Sequence, residues 1–203
     1  MRKIFLILLV LCGMLSSASA QNMRALFLDA PDAVLPMLPR NVRVDCVDFV
    51  EAGMSYPVSN VFDGKSVLKT LTDDYLLLQT TGISTVEMKI LPFGESFIVC
   101  VVNSVSAEAT DSRIAFYDRN WEKIDTELYF TAPSINNFLS GADEKIIDMC
   151  DIYLVSLKLD ADDTSLVAEY TMPDYMNSED AAKVRSVLRK IVYRWNGIWF
   201  AKE

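Results

Sequence analysis

Two hydrophobic patterns follow one another along the chain, a helical one up to about residue 54 and a strand-like one beyond it. Between residues 42 and 52, valines recur at every third position and acidic residues recur on another face. This spacing predicts an amphipathic helix with a solvated acidic face, and Gly53 is a natural stop for it. A shorter helix is expected over residues 23–29, and Pro31 can open another short helix.

From Tyr56 onward, short strands and turns replace the helical spacing. Residues 85–90 alternate between apolar and polar positions, which predicts a strand with one buried face and with Glu87 and Lys89 on a wet face. Residues 97–102 are apolar on both faces, as expected for a central strand that is covered on both sides. The other expected strands are residues 58–62, 66–72, 75–80, 113–117, 121–124, 152–159, 166–172, 191–195 and 198–201.

Two turn signals punctuate the strands. Asp63-Gly64 predicts a hairpin early in the sheet, and Asn196-Gly197 predicts one near the end of the chain. Trp195 and Trp199 flank the second turn, where they lie opposite or diagonal to one another depending on register. Core packing as a cross-strand pair is favoured over a carbohydrate-stacking face formed with Trp121. Residues 133–140 are expected to be loop, and helices are expected near 142–150 and 178–188.

These elements indicate an α+β fold in which N-terminal helices pack on a mainly antiparallel β-sheet. The loops between strands are short, which disfavours βαβ crossovers. We predict one domain over residues 21–203, mainly helical over 21–54 and mainly strands over 55–203.

The first 20 residues have the three parts of a secretory signal peptide. Arg2 and Lys3 form a basic start, residues 4–15 are mostly apolar, and Ala18-Ser19-Ala20 is a cleavage site of the A-x-A type. The apolar run is too short to span a membrane. The sequence therefore predicts cleavage after Ala20, no transmembrane segment in the mature chain, and a periplasmic or secreted location. The alternative is a lipoprotein that carries its lipid on Cys12; this is disfavoured because Leu11, rather than a small residue, precedes that cysteine.

The mature chain is acidic. The 203 residues include 19 basic and 28 acidic side chains, and two of the basic ones lie in the signal peptide, so the mature net charge is 17 − 28 = −11. Such a charge repels phosphate backbones, and no basic run is present. Nucleic-acid binding is therefore not expected.

Three cysteines remain after cleavage, namely Cys46, Cys100 and Cys150. An oxidising compartment permits a disulfide, and the sequence leaves open whether any two of them pair. Cys100 lies inside an apolar strand, which favours a buried, structural role.

Recognisable catalytic chemistry is missing from the sequence. The chain contains no histidine, which removes histidine triads, histidine acid–base catalysis and imidazole zinc sites. Asp73-Asp74 is expected to be a turn, and Asp160, Asp162 and Asp163 are expected to form a solvated hairpin tip because the calcium-loop glycine and distal glutamate are missing. We therefore predict no catalytic, cofactor-binding or metal-binding residues, and no cofactor.

Several segments together resemble a known family. They are Leu28-Asp29-Ala30-Pro31-Asp32, Leu35-Pro36-Met37-Leu38, Asp45, Asp48-Phe49, Glu51-Ala52-Gly53-Met54, Asp63-Gly64-Lys65-Ser66, Leu71-Thr72-Asp73-Asp74-Tyr75, and Phe116-Tyr117-Asp118 with Trp121. The set resembles a domain-of-unknown-function family of exported proteins from Bacteroidetes-type bacteria. The resemblance implies a Gram-negative cell envelope, most directly the periplasm, and transfers no functional residue.

The leading functional expectation is an exported, non-catalytic module that binds a protein or another envelope component. One alternative is a carboxylate-based hydrolase acting on glycans, which needs two carboxylates across a cleft. The other is a small-ligand-binding periplasmic protein with an apolar pocket between the helices and the sheet.

Overall fold

A computed structural model describes residues 22–203. The predicted signal peptide and Cys12 lie outside the described residues. The helices are α1 (Met23–Asp29), α2 (Arg40–Glu51), α3 (Ile135–Phe138), α4 (Glu144–Asp148) and α5 (Ser178–Val187). The strands are β1 (Val58–Ser59), β2 (Lys65–Leu71), β3 (Tyr75–Gln79), β4 (Ser84–Phe93), β5 (Ser96–Ser106), β6 (Thr110–Tyr117), β7 (Lys123–Ile124), β8 (Val155–Leu159), β9 (Ser165–Tyr170), β10 (Ile191–Trp195) and β11 (Phe200–Lys202).

The strands form two antiparallel sheets. Strands β1 to β7 make a seven-stranded sheet in sequence order, and β11-β10-β9-β8 make a four-stranded sheet. Each strand of a sheet pairs with its sequence neighbour, so hairpins generate nearly all of the topology. The predicted α+β class and the antiparallel pairing are confirmed. No helix within residues 22–203 is long and apolar enough to cross a membrane.

Helices α1 and α2 cover one face of the large sheet. Phe27 and Leu26 of α1 and Val47 of α2 are fully buried against Met88 and Leu76 of the sheet. This confirms the expected packing of N-terminal helices on a sheet. The acidic face of α2 is exposed, as predicted, and Gly53 adopts a positive φ of 71° just beyond the helix.

A buried arginine joins the two N-terminal helices. Arg43 of α2 donates hydrogen bonds to the carbonyls of Phe27 and Ala30 at the end of α1, and it lies 3.6 Å from Asp32. It thereby satisfies carbonyl groups that the end of a helix leaves without partners. The segment that follows Pro31 forms hydrogen-bonded turns, so the short helix predicted there is wrong.

The small sheet covers the opposite face of the large sheet. Cys100 and Val102 of β5 face this second core, whereas Val99 and Val101 face the helices. The prediction of a central strand buried on both faces is therefore confirmed. The second core also contains Phe116 from β6 and, from the small sheet, the side chains of Leu157, Leu166, Ala168, Tyr170, Ile191, Tyr193, Trp195 and Phe200.

The predicted wet face of β4 is buried. Glu87 retains 6% of its surface and Lys89 only 1%, because the small sheet lies over them. Both charges have partners: the Glu87 carboxylate accepts a 2.7 Å hydrogen bond from the Leu159 amide, and the Lys89 ammonium lies 2.9 Å from Asp74. The alternating sequence of β4 correctly indicates that this face is polar. It does not indicate that the small sheet covers the face and buries it.

Side chains of the large sheet satisfy the edge of the small sheet. Strand β8 has a free edge, and three of its amides, on Val155, Leu157 and Leu159, donate to side-chain oxygens of the large sheet. The acceptors are Asp111 at 3.4 Å, Ser112 at 3.0 Å and Glu87 at 2.7 Å. Lys89 adds a 3.0 Å bond to the Ala161 carbonyl. We call these contacts the cross-sheet seam; they leave β8 with no open amides at these positions.

The ends of the chain's hairpins differ in detail from the sequence prediction. Trp195 pairs with Phe200, and the Asn196 side chain accepts bonds from two amides in a four-residue turn, so Trp199 is half exposed and the expected Trp195–Trp199 pair does not form. At residues 60–64, the Asn60 side chain organises a five-residue loop around the predicted hairpin turn. A short helix, α3, replaces part of the expected loop at 133–140.

The Glu87 carboxyl has an unusual acidity. Burial raises its pKa from 4.5 to about 7, against the opposing effects of the Leu159 amide and of Lys158. In the unfolded chain the group returns to its ordinary pKa. Between about pH 4.5 and pH 7 the folded protein therefore holds a proton that the unfolded chain has released, and the free energy of unfolding falls as pH rises through this window.

We predict that Glu87→Gln removes this pH dependence. The amide oxygen still accepts from Leu159, and the side chain is neutral at every pH. At pH 8 the variant should be more stable than the unmodified protein by an amount on the order of 2–3 kcal/mol, and at pH 4 the two should be nearly equal. Guanidinium unfolding at both pH values measures this, with the exposed Glu122→Gln as control. A stability difference that does not change with pH would contradict the prediction.

Candidate functional site: the groove around residues 126–133

One segment crosses the open end of the two sheets. We call residues 126–133 the bridging segment; it leads from β7 at the edge of the large sheet to α3. Three contacts hold it. The Asp125 carboxylate accepts from the Glu127 amide, the Tyr129 carbonyl accepts from the Phe200 amide at 2.9 Å, and the Pro133 carbonyl accepts from the Tyr153 hydroxyl at 2.7 Å.

Aromatic side chains anchor the middle of the bridging segment. Phe130 meets Tyr193 edge-on, with ring centroids 5.2 Å apart, and Tyr129 lies 5.3 Å from Phe116. Both anchor rings are buried, whereas the next two residues, Thr131 and Ala132, are exposed. The bridging segment is therefore anchored at its middle as well as at its ends, and Thr131 and Ala132 are open to solvent between Phe130 and Pro133.

A cavity lies on the inner side of the bridging segment, between the two sheets. Its volume is about 570 Å³. We call it the inter-sheet cavity; its walls are Ser112, Ile114, Thr126, Glu127, Phe130, Thr131, Ala132, Pro133, Tyr153, Val155 and Leu157. The size lies within the range of small-molecule sites, and the walls mix apolar and aromatic surface with hydroxyl groups and one carboxylate.

A groove lies on the outer side of the bridging segment, facing β11. It has a volume of about 370 Å³. We call it the outer groove; it is lined by Thr131, Ala132, Pro133, Asn137, Tyr193, Trp199, Phe200, Ala201 and Lys202. A smaller hollow of about 240 Å³ extends past Leu128, and Thr131 borders all three spaces.

Large apolar side chains stand exposed around these openings. Leu128, Tyr153, Ile198 and Trp199 are between 44% and 63% exposed. Leu128, Tyr153 and Trp199 each line at least one of the three spaces. Ile198 precedes Trp199 in the β10–β11 turn. Apolar side chains grouped at a concave surface are typical of a binding site.

A fourth opening lies between the α1–α2 connection and the large sheet, where a small-ligand pocket was expected from the sequence. Its volume is about 180 Å³, and Val34, Leu38 and Val86 are among its apolar walls. This is smaller than the range of about 300–1,000 Å³ for small-molecule sites. The inter-sheet cavity is therefore the better candidate, and it lies between the two sheets rather than beneath the helices.

The titratable groups around the inter-sheet cavity offer little catalytic chemistry. Glu127 is the one carboxylate among its lining residues, so a second carboxylate for glycoside hydrolysis is missing from the walls. The buried charges Glu87 and Lys89 line none of the openings described above and act in the cross-sheet seam. Within residues 22–203, no cluster of three or more histidine, cysteine, aspartate or glutamate side chains could hold a metal ion.

The three cysteines are buried and unpaired in the described structure. Burial raises the pKa of each thiol, that of Cys46 to about 11, so the thiols stay protonated near neutral pH. A buried, protonated thiol is a poor nucleophile. Their positions in the two cores fit the structural role that the sequence suggested for Cys100.

The acidic clusters of the sequence lie at turns. Asp160 accepts from the amides of Asp162 and Asp163, and Asp163 accepts from Ser165, so these side chains order the hairpin tip between β8 and β9. Asp73-Asp74 forms the β2–β3 turn, as expected. None of these residues borders the inter-sheet cavity or the outer groove. No sequence pattern predicted the bridging segment, whose one signal is the Tyr129-Phe130 pair inside a stretch without strand or helix periodicity.

We predict that Tyr153→Phe loosens the bridging segment without unfolding the protein. The change removes the hydrogen bond to the Pro133 carbonyl and keeps the aromatic ring. The loss of this bond should lower the free energy of local opening of the segment by about 1 kcal/mol. The Phe200 amide, which donates to Tyr129, should then exchange about fivefold faster with solvent. Hydrogen exchange with residue resolution measures this. Tyr175→Phe, at an exposed site, is the control, and equal exchange in both variants would count against a fastening role for Tyr153.

Comparisons with known proteins place the chain in a family. A family model described as protein of unknown function (DUF3256) matches residues 15–200. The fold is similar to a solved structure described as a domain of an uncharacterized protein from Porphyromonas gingivalis W83, with 25% sequence identity, a TM-score of 0.78, and coverage of 89% of this chain and 97% of that chain. No curated protein sequence matches the chain. These findings agree with the resemblance to an unknown-function family noted from the sequence. The chain belongs to the DUF3256 family of proteins of unknown function.

Proposed function

We propose that this protein is an exported, non-catalytic module that binds a protein or another envelope component through the face around the bridging segment. The observation that carries the proposal is the group of exposed apolar side chains, Leu128, Tyr153, Ile198 and Trp199, around adjoining hollows. Tyrosine and tryptophan are enriched among the residues that contribute most to protein interfaces. A charged, strongly acidic chain keeps such a face soluble until a partner covers it.

The proposal also includes export. Its support is the basic start, the apolar run and the Ala18-Ser19-Ala20 site of the first 20 residues. The alternative lipid anchor at Cys12 would leave a different and heavier N-terminus.

We expect the full-length gene product to yield a periplasmic or secreted chain that begins at Gln21. Fractionation of expressing cells followed by intact-mass measurement tests this, with Ala20→Arg as the variant that blocks cleavage. An uncleaved chain in the cytosol would contradict export, and a lipid-bearing chain beginning at Cys12 would assign the anchor instead.

A second candidate function is the binding of a small molecule in the inter-sheet cavity. The observation that favours it is the volume of about 570 Å³ together with aromatic walls from Phe130 and Tyr153. Ser112 is not a free hydroxyl there, because it accepts from Leu157 and bonds to Ser104. A glycan hydrolase is less well supported, since Glu127 has no second carboxylate beside it in the cavity walls.

We predict that replacing both Leu128 and Trp199 with serine weakens partner capture at least tenfold. Both side chains are half exposed or more, so their loss should leave folding nearly unchanged while it removes apolar contact area. Quantitative cross-linking pull-down from envelope extract, with the mature protein as bait, measures this.

The matched control is Phe62→Ser, which removes an exposed aromatic ring from the β1–β2 loop. Its capture should equal that of the unmodified protein. Equal loss in both variants would place the partner surface elsewhere, and binding of a small molecule rather than a protein would appear as a tightly held ligand in native mass spectra.

A further inference from the structure

The two edges of the small sheet are treated differently by the fold. Along β8, three amides are covered by side chains of the large sheet. Along β11, the pattern of bonds to β10 shows which backbone groups face outward. The Asn196 amide donates to Trp199 and the Glu203 amide donates to Val192, so Phe200 and Lys202 direct their backbone groups away from β10.

The outward groups of β11 face the bridging segment, and within the described part of the chain only one of them is paired. The Phe200 amide donates to the Tyr129 carbonyl. Beyond that bond the outer groove of about 370 Å³ separates β11 from the bridging segment. Within residues 22–203, the Lys202 amide and the backbone amides of Thr131 and Ala132 have no hydrogen-bond acceptor.

We infer that the outer groove takes an extended peptide segment of a partner protein, which adds to β11 as a fifth strand of the small sheet. The inference rests on the proposed function and specifies how the partner is held. An extended backbone is the one common ligand that presents alternating donors and acceptors to both walls of such a groove. The half-exposed ring of Trp199 provides an apolar contact for its side chains.

The charge at the groove indicates the chemistry of that segment. Lys202 lines the outer groove and forms no ion pair within residues 22–203, in a chain whose described part carries 17 basic and 28 acidic side chains. Neighbouring cations are already paired: Lys190 with Glu169, and Arg194 with Asp163 and Glu203. The exposed ammonium therefore favours a segment with an acidic side chain near the end that meets Lys202.

The alternative function of these features is protection of an exposed sheet edge, and β11 has two of the usual devices, since it is three residues long and carries Lys202. Native sheets protect an edge by shortness, by lysines and by covering chain. Here the covering chain leaves the edge after one hydrogen bond and a cavity opens between them. A cover that only protected the edge would continue to pair with it.

Peptide binding tests the inference. The probe is a labelled, acetylated peptide of about eight alternating threonine and valine residues with a glutamate at each end, so that either strand direction brings a carboxylate to Lys202. One comparison peptide carries lysine instead of glutamate at both ends. Two further peptides are N-methylated forms of the acidic peptide. Each is methylated at alternate residues, so that one loses the amide donors of one strand edge and the other loses those of the opposite edge. Fluorescence polarisation is measured on the mature protein and on Lys202→Glu.

We expect saturable binding of the acidic peptide at submillimolar concentration, binding about fivefold weaker for the lysine peptide, and a reversed preference in Lys202→Glu. N-methylation of the edge that pairs with β11 should abolish binding, because it removes the donors on which strand addition depends.

Absence of saturable binding up to about 1 mM, or equal binding of both N-methylated peptides and their parent, would overturn the inference. So would a dimer in sedimentation measurements that Lys202→Glu dissociates, because a second copy would then occupy the edge. If the peptides fail while the Leu128 and Trp199 variant still loses its partner, strand addition is wrong and the proposed docking face stands.

Discussion

The arrangement of both sheets depends on the hydrogen bonds that side chains of the large sheet accept from the edge of β8. Asp111 and Ser112 come from β6 and Glu87 comes from β4, so β8 bonds to two strands of the large sheet and crosses β5, which lies between them. Apolar packing alone is not directional and would tolerate many crossing angles. Because each of these acceptors fits one amide, the seam selects one angle, and that angle determines where the two sheets separate.

The place where they separate is the candidate site. The inter-sheet cavity opens beside the seam itself, between Ser112 and Ile114 of β6 and Val155 and Leu157 of β8, and the bridging segment forms most of its remaining wall. The outer groove lies on the other side of the bridging segment, along β11. The opposite face of the large sheet is occupied by α1 and α2, whose pocket is small. The bridging segment thus borders both spaces of the candidate site, the cavity between β6 and β8 and the groove along β11.

The sequence predicted where the helices and strands lie better than it predicted what packs against them. Local periodicity located α2, the central strand β5 and most hairpins, because spacing within a segment reports its own geometry. It misjudged Glu87 and Lys89, since the partners that make their burial tolerable, Leu159, Ala161 and Asp74, are supplied by distant positions or by a turn. Trp199 was misplaced because the Asn196 side chain builds a longer turn than a two-residue hairpin. The bridging segment has no periodicity, so its role emerges only from the layers that it connects.

The double burial of β5 has a consequence for how the strands find their alignment. A strand that is apolar on both faces has no polar face to forbid a one-residue slip, since valines would simply exchange cores. The neighbouring strand β4 fixes the register instead. Its charged residues Glu87 and Lys89 can be buried only in the core between the sheets, because the Leu159 amide and the Asp74 carboxylate pair with them there. Glu87 and Lys89 therefore restrict the apolar strands at the centre of the sheet to a single register.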